Sequence, residues 1–131
     1  KPNYDTLSRI ELLMDKGGYP TDDLTVRIVE GTPWSPGDIL FTGAISPDDV
    51  PVFGNADWVS VDIGIAVTPG EEYHIYIEGT ADHDGWDHMS WYFCSQVYRP
   101  YEDGSFWYTR DFGAPYEFYN WDFAFRTFGM V

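Results

Sequence analysis

Apolar and polar residues alternate with a period of two along most of this 131-residue chain, and this pattern constrains the fold more than any other feature. The clearest example is WVSVDIGI at positions 58–65, where four branched aliphatic residues are separated by serine, aspartate and glycine. Similar patterns return roughly every 10–15 residues between Gly, Pro and Asp clusters. No stretch has a convincing amphipathic-helix pattern, although residues 6–14 also allow a helix. Strands without crossover helices pair antiparallel, so the sequence predicts an all-β domain.

Eight segments carry the strand pattern, and the turns between them predict how they connect. The segments are residues 6–14, 24–30, 39–45, 58–65, 72–78, 90–99, 104–110 and 120–128. Residues 31–38 and 111–118 are predicted to break the chain as loops. Pro69-Gly70 predicts a type II turn that joins 58–65 and 72–78 as a hairpin. About eight antiparallel strands predict a single domain over residues 1–131, built as a two-sheet β-sandwich of the jelly-roll kind, with a closed barrel as the alternative.

The charge of the chain restricts its partners. The net charge is −15, with 22 acids against 7 bases, so nucleic acid and insertion into an anionic membrane are not expected. The acidity is typical of a protein kept soluble by its surface, as in a saline habitat, or of one that binds a divalent cation. The chain starts at Lys1 and has no signal peptide or transmembrane run, so we expect a piece of a longer secreted or surface protein. Cys94 is a lone cysteine, expected to be a buried, unreactive thiol.

An acidic segment, DHDGWDH at positions 82–88, is the first candidate metal site. Asp82, Asp84 and Asp87 supply three carboxylates within six residues, and Ca²⁺ prefers oxygen ligands. The order differs from the EF-hand, because the glycine comes too early and no twelfth-position Glu follows. We expect a structural Ca²⁺ here, with a solvated acidic turn as the alternative. The spacing of His83 and His88 does not favour zinc.

A second candidate metal site joins the first and last strands. Glu11 and Asp122 both lie among apolar and aromatic neighbours in the sequence, where an uncompensated charge is costly. A cation between the two strands would offset that cost. Ion pairing with Arg9 or Arg126 on the same strands is an equally good explanation and needs no metal.

Aromatic residues make up 19% of the chain, more than one core can absorb. Rings occur at both alternating positions of residues 90–99 and 104–110, and contiguous exposed apolar surface usually marks an interaction site. A pyranose ring stacks its C–H face on an aromatic ring and hydrogen-bonds through its hydroxyls. The predicted ligand platform consists of Trp86, Trp91, Tyr92, Tyr98, Tyr101 and Trp107, with Asp87, Gln96 and Arg99 as polar partners. A thick aromatic core or a domain interface is the alternative.

The chain resembles secreted jelly-roll appendage domains that are similar to carbohydrate-binding modules. The resemblance rests on WVSVDIGIAVTPGEEYHIYI at 58–77, on the Y-x-D-G-S-F-W run at 101–107 and on WDFAFRTFG at 121–129. It implies a β-sandwich, often with a structural Ca²⁺, that binds glycans or acts as a spacer. The aspartates at 82–87 have no counterpart in that pattern.

These observations predict a non-catalytic extracellular module that binds a polysaccharide or glycan, with a structural Ca²⁺. One alternative is a structural or adhesion domain that contacts neighbouring protein domains of its parent. A second is a small polysaccharide lyase-like enzyme using His74, Tyr76, Tyr98 and Arg99. The common hydrolase and phosphate-loop motifs are missing from the sequence, so catalysis is not expected.

Overall fold

The computed structural model describes the backbone of residues 1–79, 88–91, 93–95, 106–108, 116–118, 121–123 and 125–131, and the side chains of 1–79 and 125–131. These residues form β-strand segments and one 3₁₀ helix, Pro47–Asp49. The strand segments are β1 (Thr6–Gly17), β2 (Leu24–Thr32), β3 (Ser35–Ile45), β4 (Asp57–Ala66), β5 (Tyr73–Glu78), β6 (His88–Trp91), β7 (Phe93–Ser95), β8 (Phe106–Tyr108), β9 (Tyr116–Phe118), β10 (Trp121–Phe123) and β11 (Phe125–Met130). All pairings between them are antiparallel, which confirms the predicted all-β class.

Strand β1 organises the first sheet, whose order is β11-β1-β4. Met14 pairs with Asp57 of β4 and also with Trp91 of β6, so β6 lies on the same side of β1 as β11, further along the strand. The second sheet has the order β3-β2-β5. Two short pairs complete the described strands, β7 with β10 and β8 with β9.

A single cluster of buried aliphatic side chains joins the two sheets. Period-two alternation places these side chains on one face of each strand. The cluster contains Leu7, Ile10, Leu12, Met14, Val26, Ile28, Ile45, Val50, Val59, Val61 and Val67. Because the buried faces of both sheets contribute, the sheets pack face to face in a sandwich-like arrangement. Each fully buried aliphatic side chain contributes about 1.5–3 kcal/mol of burial free energy, so this cluster is the main source of stability.

The first three strands are longer than the sequence pattern predicted. β1 continues past Met14 to Gly17, because Lys16 is held by β6 and by a parallel bridge to Val52. The predicted break at residues 31–38 is wrong, since only two residues separate β2 from β3. Gly31 takes a φ of 77° at an irregularity in the ladder and lets Pro36 pair opposite it. A glycine accommodates the extra residue of a β-bulge, so strand pairing continues through the region where the prolines were expected to end it.

The predicted hairpin between β4 and β5 is also wrong. The turn itself forms, with Gly70 at a φ of 83° and the amide of Glu71 donating to the carbonyl of Thr68. However, β4 pairs with β1 and β5 pairs with β2, so this turn carries the chain from one sheet to the other. The inward positions of β5 are confirmed, because Tyr73, Ile75 and Ile77 pack against the core cluster.

The predicted loop at residues 111–118 contains strand β9, which pairs with β8. Of the predicted strand 90–99, the described parts are β6, which begins two residues earlier, and β7. The last predicted strand corresponds to β10 and β11. No helix in the described part of the chain is long and apolar enough to cross a membrane.

Candidate functional site

The outward side of the first sheet carries a row of paired aromatic and charged side chains. Because Ile10, Leu12, Val59 and Val61 face the core, the residues that alternate with them face outward. We call this surface the Arg–aromatic face. It consists of Arg9, Glu11, Trp58, Ser60, Arg126 and Phe128.

Arg126 reaches across the sheet from β11 to β4. Its guanidinium carbon lies 3.7 Å from the centre of the Trp58 ring, a stacking distance. On the way it passes over β1, where its Nη1 is 3.8 Å from Oε1 of Glu11. The other carboxylate oxygen of Glu11 accepts a hydrogen bond of 3.0 Å from the Ser60 hydroxyl. Glu11 therefore connects β11, β1 and β4.

Arg9, two residues before Glu11 on β1, forms a second stack. Its guanidinium carbon lies 4.1 Å from the centre of the Phe128 ring, directly opposite it on β11. The Nε of Arg9 is buried and has no hydrogen-bond partner among the described residues. Asp62, an exposed residue of β4, faces Arg9 from the other side.

The two charges of the Arg126–Glu11 pair meet water to different extents. The Glu11 side chain is 16% exposed, whereas the Arg126 side chain is 52% exposed. Water screens such a pair strongly, so we assign it less than about 1 kcal/mol. Stacking on a ring adds about 0.5–1 kcal/mol for an exposed guanidinium. Because the N–O separation of 3.8 Å is long for an ion pair, the stack on Trp58 is expected to hold the Arg126 guanidinium more strongly than Glu11 does.

The described structure includes only part of the site predicted from the sequence. Among the ligand residues, the backbone positions of two are described: Trp91 lies opposite Met14, and Trp107 opposite Glu117. The predicted ligand residues that lie outside the described residues are Trp86, Asp87, Tyr92, Gln96, Tyr98, Arg99 and Tyr101.

The two residues of the predicted Glu11–Asp122 metal site have different strand partners, and the side chain of Asp122 lies outside the described residues. Glu11 faces Arg126 and Ser60, which is the ion-pair alternative. Asp122 lies opposite Cys94 in a different strand pair. Arg126 therefore supplies a positive charge beside Glu11. No group of three metal-binding side chains occurs among the described residues. The predicted calcium ligands Asp82, Asp84 and Asp87 lie outside them.

Sequence reasoning missed Trp58, Arg9, Arg126 and Phe128 as members of one surface. A signal was available, because Trp58 shares its alternation with the outward-facing Ser60 rather than with the buried valines. An aromatic residue at a polar position of a strand predicts exposure of its ring. What the sequence could not supply was the pairing of β1 with β11, which brings both arginines to this face.

Two other surfaces stand out among the described residues. At the end where β1 finishes, Tyr19 and Phe53 are 87% and 75% exposed. Phe53 occupies the apex of a turn closed by a hydrogen bond from the Asn55 amide to the Val52 carbonyl. At the opposite end, an open cleft of about 570 Å³ is lined by residues that include Glu30, Glu71, Glu72 and Lys1. Lys1 Nζ lies 3.9 Å from a Glu72 carboxylate oxygen.

Comparison of the chain with protein-family models, with curated proteins and with solved structures finds no match.

Proposed function

We propose that this chain is a non-catalytic extracellular module, a jelly-roll-like β-sandwich of about eight strands, that binds a polysaccharide or glycan. The Arg–aromatic face is the observation that carries the proposal. It combines two aromatic rings, two guanidinium groups, a carboxylate and a hydroxyl on one side of the three strands β11, β1 and β4. A regular strand surface suits an extended sugar chain, because donors, acceptors and apolar edges recur along it.

The sequence-predicted platform of Trp86, Trp91 and Trp107 and their neighbours remains part of the proposal as a second location for the ligand. The resemblance to carbohydrate-binding modules supports glycan binding in general and does not favour either location. The experiment therefore has to identify both the ligand and the surface that binds it.

Affinity gel electrophoresis against a panel of soluble neutral and acidic polysaccharides tests this function. We expect at least one polysaccharide to retard the protein, and Trp58→Ala to weaken the retardation. Trp107→Ala tests the sequence-predicted platform in the same gels. Trp34→Ala is the matched control for Trp58→Ala, because Trp34 is exposed at the turn between β2 and β3, in the second sheet and away from the Arg–aromatic face. Failure of the whole panel, with folded protein, would refute glycan binding.

A structural Ca²⁺ is the second part of the proposal, with Asp82, Asp84 and Asp87 as its ligands and the Glu11–Asp122 pair as the alternative site. Their three carboxylates within six residues support it. The strands that flank this segment in the sequence both pair next to the connection between β1 and β2: Glu78 of β5 pairs with Thr25, and His88 of β6 pairs with Gly17.

An adhesion domain that contacts neighbouring protein domains is the second candidate function. The exposed Tyr19, Val52 and Phe53 at the end of β1 favour it, since exposed apolar residues close together often mark a protein interface. Substitution of Phe53 by serine separates the candidates. The glycan module keeps its polysaccharide retardation in this variant, whereas an adhesion domain loses binding to its neighbouring domain and shows no glycan binding at all.

A further inference from the structure

Strand β11 is an outer strand of the first sheet, and among the described strands it pairs only with β1. We call the side of β11 that faces away from β1 the outer edge. Each residue from Arg126 to Met130 is exposed, so the strand is accessible along this length. An outer strand presents a row of unpaired N–H and C=O groups, and a further strand can pair with them.

The outer strands of the two described sheets differ in their protection against such pairing. Strand β3 carries Pro36 and Asp38, and β5 carries Glu78. Strand β4 carries Asp57 and Asp62. Proline and charged side chains on an outer strand are common means of preventing edge pairing. Strand β11 contains neither proline nor an acid, although the net charge of the chain is −15. Two copies of the chain therefore repel each other least where β11 meets β11.

The one charged side chain of β11 is directed away from the outer edge. Arg126 reaches over β1 to Trp58 on β4, where its guanidinium carbon lies 3.7 Å from the ring centre. The irregularity in the β1–β11 ladder is also on the other strand, because Ser8 is the extra residue between Leu7 and Arg9 of β1. Bulges protect an outer strand by twisting it, and β11 has none along its pairing with β1.

A hydrogen bond near the end of β11 indicates which backbone groups face the outer edge. The Asp5 amide donates to the Met130 carbonyl over 3.1 Å, so the backbone groups of Met130 point to the β1 side. Backbone groups alternate in direction along an antiparallel strand, so those of Thr127 and Gly129 point to the outer edge. Both residues have small side chains or none, which leaves the edge open to a second backbone.

We propose that the outer edge of β11 pairs with β11 of a second copy of this chain, in an antiparallel arrangement with two-fold symmetry. In such a pair the same surface meets itself, so an acid-free strand meets an acid-free strand. Opposite side chains of antiparallel strands lie on the same side of a sheet, so the pairing joins two Arg–aromatic faces into one surface. So short a strand pair buries less than the about 800 Å² per partner of a standard interface, and the association is weak and reversible.

Sedimentation equilibrium of the 131-residue chain without any ligand tests this inference. From about 10 µM to 1 mM protein, we expect a monomer–dimer equilibrium. The dimer is expected to tighten when NaCl is raised from about 0.15 M to 1 M, because the screening length falls from about 8 Å to 3 Å. Thr127→Pro removes an outer-edge N–H from both copies and is expected to weaken the dimer at least tenfold. Thr127→Val keeps this N–H and is expected to dimerise as the unmodified chain does.

A second variant tests the same edge through charge. Thr127→Glu adds an acid to the strand in both copies, so we expect a dimer about tenfold weaker, with a smaller loss in 1 M NaCl. Thr42→Glu is the matched control, because Thr42 is an exposed threonine on the outer strand β3. Thermal melts establish that each variant folds, and Thr127→Glu carries the test if Thr127→Pro does not fold.

The outcomes do not depend on glycan binding, because association is measured without a polysaccharide. A monomer at every protein and salt concentration overturns the inference, and so does an unchanged dimer in both Thr127→Pro and Thr127→Glu. Equal losses in Thr127→Glu and Thr42→Glu overturn the assignment to β11. A loss confined to the Thr127→Pro and Thr127→Glu variants supports it.

Discussion

The position of the Arg126 side chain predicts which of its two contacts, with Trp58 or with Glu11, has the larger coupling energy. Arg126 stacks on Trp58 at 3.7 Å but approaches Glu11 only to 3.8 Å, with half of its side chain exposed. An exposed cation–π contact contributes about 0.5–1 kcal/mol and an exposed ion pair about 0.2–1 kcal/mol, and the long N–O separation of 3.8 Å puts this ion pair toward the lower end of its range. We therefore expect the Arg126–Trp58 coupling to exceed the Arg126–Glu11 coupling.

Double-mutant cycles measured by urea unfolding give both coupling energies. Arg126→Met keeps the packing of the stem, Trp58→Leu keeps an apolar side chain, and Glu11→Gln keeps a hydrogen-bond acceptor for Ser60. In 1 M NaCl the screening length falls to about 3 Å, so we expect the Glu11 coupling to vanish and most of the Trp58 coupling to remain.

The Arg27–Glu78 pair is the internal comparison for these cycles. Its N–O distance is 2.8 Å, and its side chains are 29% and 33% exposed, so we expect a coupling of about 1 kcal/mol. An Arg126–Trp58 coupling within error of zero, or smaller than the Arg126–Glu11 coupling, would refute the stacked geometry on which the ligand site depends.

Two further predictions test the backbone and the metal. Gly31 and Gly64 have similar φ values of 77° and 73°. An added Cβ at Gly31 would contact the Ser35 carbonyl, whereas an added Cβ at Gly64 would point into open space. Gly64→Ala is therefore expected to lower the free energy of unfolding in urea by about 1–2 kcal/mol, and Gly31→Ala to lower it by about 1–3 kcal/mol more. Equal losses of stability in the two variants would contradict the close approach of Ser35 to Gly31. Because an ion bound only to the native state stabilises it, EDTA is expected to lower the Tm by several degrees and Ca²⁺ to restore it. An unchanged melt would remove the Ca²⁺ assigned to Asp82–Asp87.

The sequence predicted the faces of the strands well because alternation is a local property. The buried Val59 and Val61 and the outward Ser60 and Asp62 follow directly from a period of two. Strand ends were less predictable. Gly17 and Thr32 end their strands later than expected, because cross-strand pairing holds them in place.

The local sequence pattern could not predict which strands pair with each other. The turn at Pro69-Gly70 formed as predicted, but a turn reverses the chain without deciding which strand the returning segment joins. Here β5 buries Ile75 and Ile77 by pairing with β2 in the second sheet. The candidate site depended on the same non-local choice. Only the pairing of β1 with β11 brings Arg126 onto Trp58, and no spacing in the sequence specifies it.

The most direct test of glycan binding at the Arg–aromatic face is an NMR titration of the arginine Nε–Hε resonances with each polysaccharide that retards the protein in the affinity gels. The chain has five arginines, so single Arg→Gln variants are enough to assign these signals. We predict that the signals of Arg9 and Arg126 shift together as ligand is added, while that of Arg27 stays in place. Shifts confined to other arginines, or no shift at saturating ligand, would contradict the account.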